Sequence, residues 1–155
     1  MKLLIIIPAY NESENIERVV TTIKEKCSQH DYLIINDGSR DNTEEICIKK
    51  GYHFVSHPVN LGLAAAVQTG MLYAYKNGYD AAIQFDGDGQ HDPNYIEKMS
   101  LEIEKGNNIV IGGMNLCRTN DNAYAIAKEL SKEYRVVLLN INSKEDRLYT
   151  VKDDI

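Results

Sequence analysis

Asp86 and Asp88 stand one residue apart, directly after the apolar run Ala81-Ala82-Ile83-Gln84-Phe85, with Gly87 between them and Gly89-Gln90-His91-Asp92 following. Two carboxylates at that spacing, at the end of a buried strand, supply the hard oxygen ligands that magnesium or manganese takes when it is held against a diphosphate. Gly87 and Gly89 remove side chains beside the acids, so a bulky ligand can come close to the backbone and the turn can take unusual φ values.

Two other readings of this segment are weaker. Counted from Asp86, the acids and amides fall near the ligand positions of a calcium loop. That loop needs glycine at its sixth position, where this chain has His91, and a helix before it, where this chain has a strand-like run. Asp92-Pro93 is a good N-cap and first-turn pair for a following helix. Capping accounts for Asp92 and leaves Asp86 and Asp88 unexplained, because both lie too far upstream to reach the first-turn amides.

The elements that must position these acids are legible as alternating patterns. Leu3 to Ile7, Tyr32 to Ile35, His53 to Ser56, Ala81 to Phe85, Ile109 to Ile111 and Val136 to Ile141 read as strands, mostly as continuous apolar runs of the kind buried on both faces. Between them, Ile16, Val19, Val20 and Ile23 mark a helical stripe behind Ser13 as N-cap, and Ile96, Met99 and Ile103 mark another behind Asp92. Leu61 to Tyr75, rich in alanine, predicts a third helix, and a fourth, amphipathic one is expected near Asp121 to Tyr134. This alternation predicts an α/β fold, a mainly parallel sheet between helical layers, with ligands beyond the carboxyl ends of the strands. Polar clusters stand at those ends: Pro8-Ala9-Tyr10-Asn11-Glu12, Asn36-Asp37-Gly38-Ser39 and Asp86-Gly87-Asp88.

Composition narrows the partners. A chain of 155 residues with a formal charge of -6 is sized for one domain and lacks the basic face that nucleic acid or an anionic membrane rewards. A negatively charged substrate must then be received by a metal or by backbone dipoles. Cys27, Cys47 and Cys117 have no paired short spacing, so neither a disulfide framework nor a zinc site is expected, and a reducing cytoplasm fits. Pro8 cuts the apolar opening short of a signal-peptide core, and no stretch reaches membrane-spanning length. The expected location is the cytoplasm or, peripherally, the inner face of a membrane.

Pro8-Ala9-Tyr10-Asn11-Glu12, Asn36-Asp37-Gly38-Ser39, Asn60-Leu61-Gly62 before Ala64-Ala65-Ala66, and Asp86-Gly87-Asp88, in this order, resemble the family 2 glycosyltransferases of GT-A fold. The match runs from residue 3 to about residue 112, and Gln90-His91-Asp92-Pro93 is most similar to the branch that transfers sugars to polyprenyl phosphates. The resemblance implies a metal-dependent, inverting transfer from a UDP- or GDP-linked sugar to a polyprenyl phosphate or a saccharide, in cell-envelope polysaccharide synthesis. It implies a donor region over residues 1–112, with the nucleoside against Pro8, Ala9 and Tyr10, and Glu12 and Asp37 on the ribose or base edge. Gly38, Ser39 and Gly87 complete the donor-binding set. Asp88 and Gln90 would ligate Mg2+ or Mn2+, and Asp86 would touch the metal or the ribose.

Beyond Gly112 the resemblance lapses. Gly113-Met114-Asn115 stands where the family continues with Ser-Arg and an acceptor-binding half, so residues 113–155 are expected to be atypical. Residue 63 is Leu where many relatives have a basic residue. Two readings therefore stay open, an enzyme, or a donor-binding module that holds nucleotide and metal and needs a partner, such as a membrane protein, for transfer. A phosphoacceptor signalling domain would need acids after the first strand, where this chain has Pro8.

Overall fold

Leu3 to Ile7 leaves no polar face for solvent, and the structure buries both faces of that strand. In a computed structural model, which describes residues 1–88, 91–106, 109–112, 136–139 and 148–151, the first strand, β1 (Leu3–Ala9), is buried throughout. Leu3, Ile5, Ile7 and Ala9 face one hydrophobic core; Leu4 and Ile6 face a second. A half-solvated strand would alternate apolar and polar residues instead.

The remaining elements follow as α1 (Ile16–Lys26), β2 (Asp31–Asn36), α2 (Thr43–Lys50), β3 (Phe54–Ser56), α3 (Leu63–Lys76), β4 (Ala81–Gln84), α4 (Asn94–Glu104), β5 (Ile109–Gly112), β6 (Val136–Leu139) and β7 (Leu148–Val151). They build one sheet in the order β3-β2-β1-β4-β6-β5-β7. All pairs are parallel except β5 with β7, which are antiparallel. Ile16, Val19, Val20 and Ile23 of α1 and Ile96, Met99 and Ile103 of α4 pack on one face. Ala66 and Ala74 of α3 pack on the other. The expected three-layer α/β arrangement is therefore observed.

Some expectations need correction. Ser13 does not cap α1: the boundary residue is Asn15, which makes no side-chain cap hydrogen bond. The first turn is closed by the Glu12 carbonyl, which accepts from the amides of Asn15 and Ile16, while the Ser13 amide donates to Asp41 Oδ2 at 3.0 Å. Asp92 does hold the start of α4, accepting from the Asn94 amide at 2.9 Å. The helix α2 has no apolar stripe to announce it; its signals are Glu44 and Glu45 in the first turn, Lys49 and Lys50 in the last, and Gly51 in left-handed conformation at the C-cap. The strand β7 lies in what reads as a charged end. The helix expected near Asp121 to Tyr134, the last two residues of the strand expected over Val136 to Ile141, and Cys117 lie outside the described residues. Cys27 and Cys47 are free and buried, and burial pushes the Cys47 thiol up to about 11. Among the described residues no helix is long and apolar enough to cross a membrane.

The helix α3 approaches β1 closely because Gly70 lacks a side chain. A Cβ there would fall 2.4 Å from Cγ2 of Ile6, a fully buried, β-branched side chain with little room to turn. Alanine would favour the helix by up to about 1 kcal/mol, but overpacking costs about 1–3 kcal/mol. Gly70→Ala should therefore lower the melting temperature in thermal denaturation. An increase would show that α3 does not sit against Ile6 at this distance.

Candidate active site

The sheet order reverses beside β1. The chain runs from β1 outward through β2 to β3, then returns to place β4 on the other side of β1, and the crevice left at such a reversal is where open α/β sheets bind ligands. A cleft of about 320 Å³ opens there, lined by Pro8, Ala9, Tyr10, Glu12, Asp37, Asn60, Gly62, Leu63, Ala66, Asp86, Gly87 and Asp88. The structure thus brings together eight of the residues expected to bind donor or metal: Pro8, Ala9, Tyr10, Glu12, Asp37, Asp86, Gly87 and Asp88. Four are carboxylates, and among the described residues no Lys or Arg lines the cleft.

Register explains the convergence. Ala9 pairs with Asn36 in the β1–β2 ladder, and the Asp37 amide extends that ladder by donating to the Ala9 carbonyl at 2.8 Å. On the other side Ile6 pairs with Gln84, and the Phe85 amide donates to the Ile6 carbonyl at 2.8 Å. Asp37 and Asp86 therefore leave their strands on either side of the Pro8-Ala9 backbone. Gly87 lies against Pro8: a Cβ on it would come within 2.8 Å of the Pro8 carbonyl oxygen. The expectation that Gly87 serves an unusual φ is not met, since it is not among the glycines of positive φ; close approach of two backbones is what requires it. Gly89 and Gln90 lie outside the described residues.

Gly38 and Ser39 do not line the cleft; they build its support. Gly38 combines a φ of +64° with a site where a Cβ would meet the Val59 carbonyl carbon at 2.4 Å. Ser39 Oγ accepts from the Asn11 amide at 3.0 Å, and Asn11 Oδ1 accepts from the Arg40 amide at 2.8 Å. Asn11 itself sits at φ 58°, a left-handed conformation that asparagine tolerates better than most residues.

Asp37 is 3% exposed and deeply engaged. Its Oδ1 accepts from the Leu61 amide at 2.9 Å and meets His57 Nδ1 at 2.7 Å, while Oδ2 accepts from the Gly62 amide at 2.8 Å. Burial pushes this carboxyl up, but the bonds from Leu61, His57 and Gly62 outweigh burial and bring it below its ordinary value. His57 is fixed in turn by Thr69 Oγ1, 2.8 Å from Nε2. One carboxylate thereby ties the end of β2 to the head of α3 and places Gly62, Leu63 and Ala66 on the cleft wall.

Asp86 is oriented by its own neighbours. Gln84 Nε2 donates to its Oδ1 at 2.7 Å, and its amide donates to His91 Nδ1 at 3.0 Å. The turn is also tied to α1: Arg18 Nη2 donates to the Asp88 carbonyl at 3.2 Å and to Asn15 Oδ1 at 3.1 Å, and Asn15 Nδ2 donates to Glu12 Oε2 at 2.9 Å. Asn15, Arg18, His57 and Gln84 are residues that motif reading passed over, and His91 was read only as part of Gln90-His91-Asp92-Pro93 and given no role of its own. Their signal is three-dimensional, since Arg18 and Asp88 are 70 residues apart.

Two carboxylates suit a divalent cation whose other ligands come from a substrate diphosphate and water, because magnesium is held by one or two protein carboxylates in such sites. Among the described residues no group of three or more His, Cys, Asp or Glu forms a metal cage.

The loop carrying Glu12 depends on a further carboxylate. Asp41 accepts from the Ser13 amide and from both the amide and the hydroxyl of Thr43. Burial pushes Asp41 up, but these bonds bring its carboxyl down from 3.8 to about 2. A carboxyl held below its unfolded value adds stability that is complete above that value and is lost as pH falls through the folded one. Between about pH 4 and about pH 2 the parent should lose this contribution, and Asp41→Asn should show a shallower fall in melting temperature. Parallel curves would rule out Asp41 as a contributor.

The glycosyl transferase family 2 model matches residues 4–151. Polyprenol monophosphomannose synthase of Mycolicibacterium smegmatis is 30% identical over 115 residues, covering 70% of this chain and 43% of that protein. A UDP-N-acetylglucosamine–dolichyl-phosphate N-acetylglucosaminyltransferase of Methanococcus voltae is 34% identical over 119 residues, covering 64% and 46%. Among solved structures, glucosyl-3-phosphoglycerate synthase of Mycobacterium tuberculosis, in complex with Mn2+, UDP and glucosyl-3-phosphoglycerate, superposes with a TM-score of 0.59 at 22% identity, covering 73% of this chain and 43% of that one. The S. aureus TarS 1-349 structure with UDP also gives 0.59, at 16% identity, covering 78% and 38%. The chain thus spans less than half the length of each of these proteins. With its GT-A fold and a family match across almost the whole chain, this protein belongs to the family 2 glycosyltransferases.

Proposed function

We propose that this glycosyltransferase takes a UDP- or GDP-linked sugar as donor, uses Mg2+ or Mn2+, and transfers the sugar with inversion to a polyprenyl phosphate. The observation that carries the reading is the charge of the cleft: Glu12, Asp37, Asp86 and Asp88 line it, and among the described residues no basic side chain does. A bare diphosphate would be repelled, on a chain already at -6. Held between Asp86, Asp88 and the phosphates, the cation would supply Lewis-acid stabilisation of the charge that gathers on the departing nucleoside diphosphate.

The chain's own residues do the rest. Tyr10, 40% exposed at the cleft, offers an aromatic face beside the Pro8 and Ala9 backbone for a nucleobase. Glu12 has acceptor capacity beyond its bond to Asn15 for ribose hydroxyls. Asp37 would meet a base or ribose donor only with the lone pair left on Oδ2. Gly62 and Leu63 bring the N-terminal end of α3 onto the cleft wall, where the Gly62 amide is already taken by Asp37 and the helix dipole adds a modest attraction for phosphate. An acceptor phosphate arrives ionised and needs no protein base; a sugar hydroxyl would need one. The polyprenyl branch is supported by the relatives from M. smegmatis and M. voltae, whose names carry such acceptors.

A donor-binding module is the second reading, favoured by the chain's covering only 43% of the M. smegmatis relative and 43% of the M. tuberculosis structure. Transfer to polyprenyl phosphate by the purified chain, with inverted product, decides for the enzyme; tight donor binding without transfer decides for the module.

Calorimetric titration with UDP, GDP and their sugars should show binding with manganese and little with excess chelator. Equal affinity under both conditions would overturn the metal assignment. Asp88→Asn keeps the side-chain size and removes the charge, so it should weaken manganese-dependent binding by about tenfold or more, with the melting temperature retained. Unchanged binding would remove Asp88 from the metal site, and unfolding would make it structural.

A further inference from the structure

We propose that His91 is a positioning residue for the acidic turn, holding the Asp86 carboxylate in its ligand-ready orientation before any donor arrives; the proposal rests on the reading of Asp86 and Asp88 as the metal site. His91 is only 7% exposed, and a buried imidazole needs partners for both nitrogens. Both partners are on one residue. The Asp86 amide donates to Nδ1 at 3.0 Å, and since Nδ1 accepts, the ring proton is assigned to Nε2. That nitrogen faces Asp86 Oδ2 at 3.4 Å, a polar contact longer than a full hydrogen bond, so the amide bond to Nδ1 is the firmer of the two ties.

Gln84 Nε2 approaches the same carboxylate from the other side, 2.7 Å from Oδ1. Each carboxylate oxygen therefore faces one side-chain nitrogen and keeps a lone pair for a cation or a hydroxyl. The platform is rigid: the His91 ring packs edge-on against Phe85, with centroids 5.4 Å apart and planes at 82°. Phe85 is 2% exposed and anchored through its amide to the Ile6 carbonyl. Pre-ordering a ligand side chain spares its rotamer entropy at the moment of binding, and partners of this kind alter metal affinity by about 10–100-fold when removed. A purely structural His91 would only fill space against Phe85.

The test compares His91→Phe, which keeps a flat ring and deletes both nitrogens, with His91→Gln, which retains one donor and one acceptor. Bound manganese is read by electron paramagnetic resonance in the presence of UDP or GDP. His91→Phe should weaken manganese binding about tenfold with little change in melting temperature, and His91→Gln should recover part of the loss. In an Asp86→Asn background His91→Phe should add little, because His91 acts through that carboxylate. Parent-like binding by His91→Phe, or losses that add in the double variant, would overturn the proposal. Nitrogen NMR of the parent gives a readout independent of donor binding: the proton should sit on Nε2, and a proton on Nδ1 would overturn the assignment even if His91→Phe fails to fold. If the parent binds no nucleoside diphosphate with manganese, the donor-site reading falls, and the proposed geometry at His91 stands or falls on that tautomer.

Discussion

The parallel pairing of β1 with β2 on one side and β4 on the other is the constraint on which the site depends. It places Pro8 and Ala9 between two strand ends and brings together residues from 8 to 88 in one crevice. Such pairing is stable only when both faces of the central strand are covered, which is why two separate cores flank β1. Gly70 and Gly87 are two places where β1 leaves no room for a side chain on its neighbour. At one a helix meets Ile6, and at the other the acidic turn meets the Pro8 carbonyl.

Around that frame the site is organised by hydrogen bonds to carboxylates. Asp37 gathers the head of α3, and Asp41 gathers the loop that carries Glu12. Asp86 is oriented by its own strand and turn, and the Asp88 carbonyl is joined to α1 through Arg18. These acids fall into two groups by what satisfies them. Asp37 and Asp41 are held by amides and neighbouring side chains and drop below their ordinary range, as suits brackets. Asp86 and Asp88 line the cleft itself.

The parallel sheet and its site were readable to the extent that they rest on local pattern. The run Leu3 to Ile7 signals a doubly buried strand, and the strand-end acids mark the crevice because topology makes strand ends converge. The helix α2 escaped because its apolar residues form no stripe: Cys47 is buried while Ile48 is 65% exposed. Ser13 looked like a cap because serine before a helical stripe usually is one, but the Asp41 carboxylate draws its amide elsewhere. Gly38 and Ser39 were placed among ligand contacts, whereas contacts to Val59 and Asn11, 21 and 28 residues away, put them behind the cleft wall. The antiparallel edge β7 lies among charged residues, and its pairing with β5 has no local signature.

The clamp from Asp37 to the head of α3 has a consequence for local dynamics. Amides at the start of a helix have no intrahelical acceptor and commonly exchange their hydrogens with solvent readily. Here those of Leu61 and Gly62 point instead into a buried carboxylate that is itself braced by His57 and Thr69. These two hydrogens are therefore built-in reporters of the crevice. They stay protected from deuterium while Asp37 holds the loop, and a ligand that draws Asp37 toward itself would release them without touching either residue.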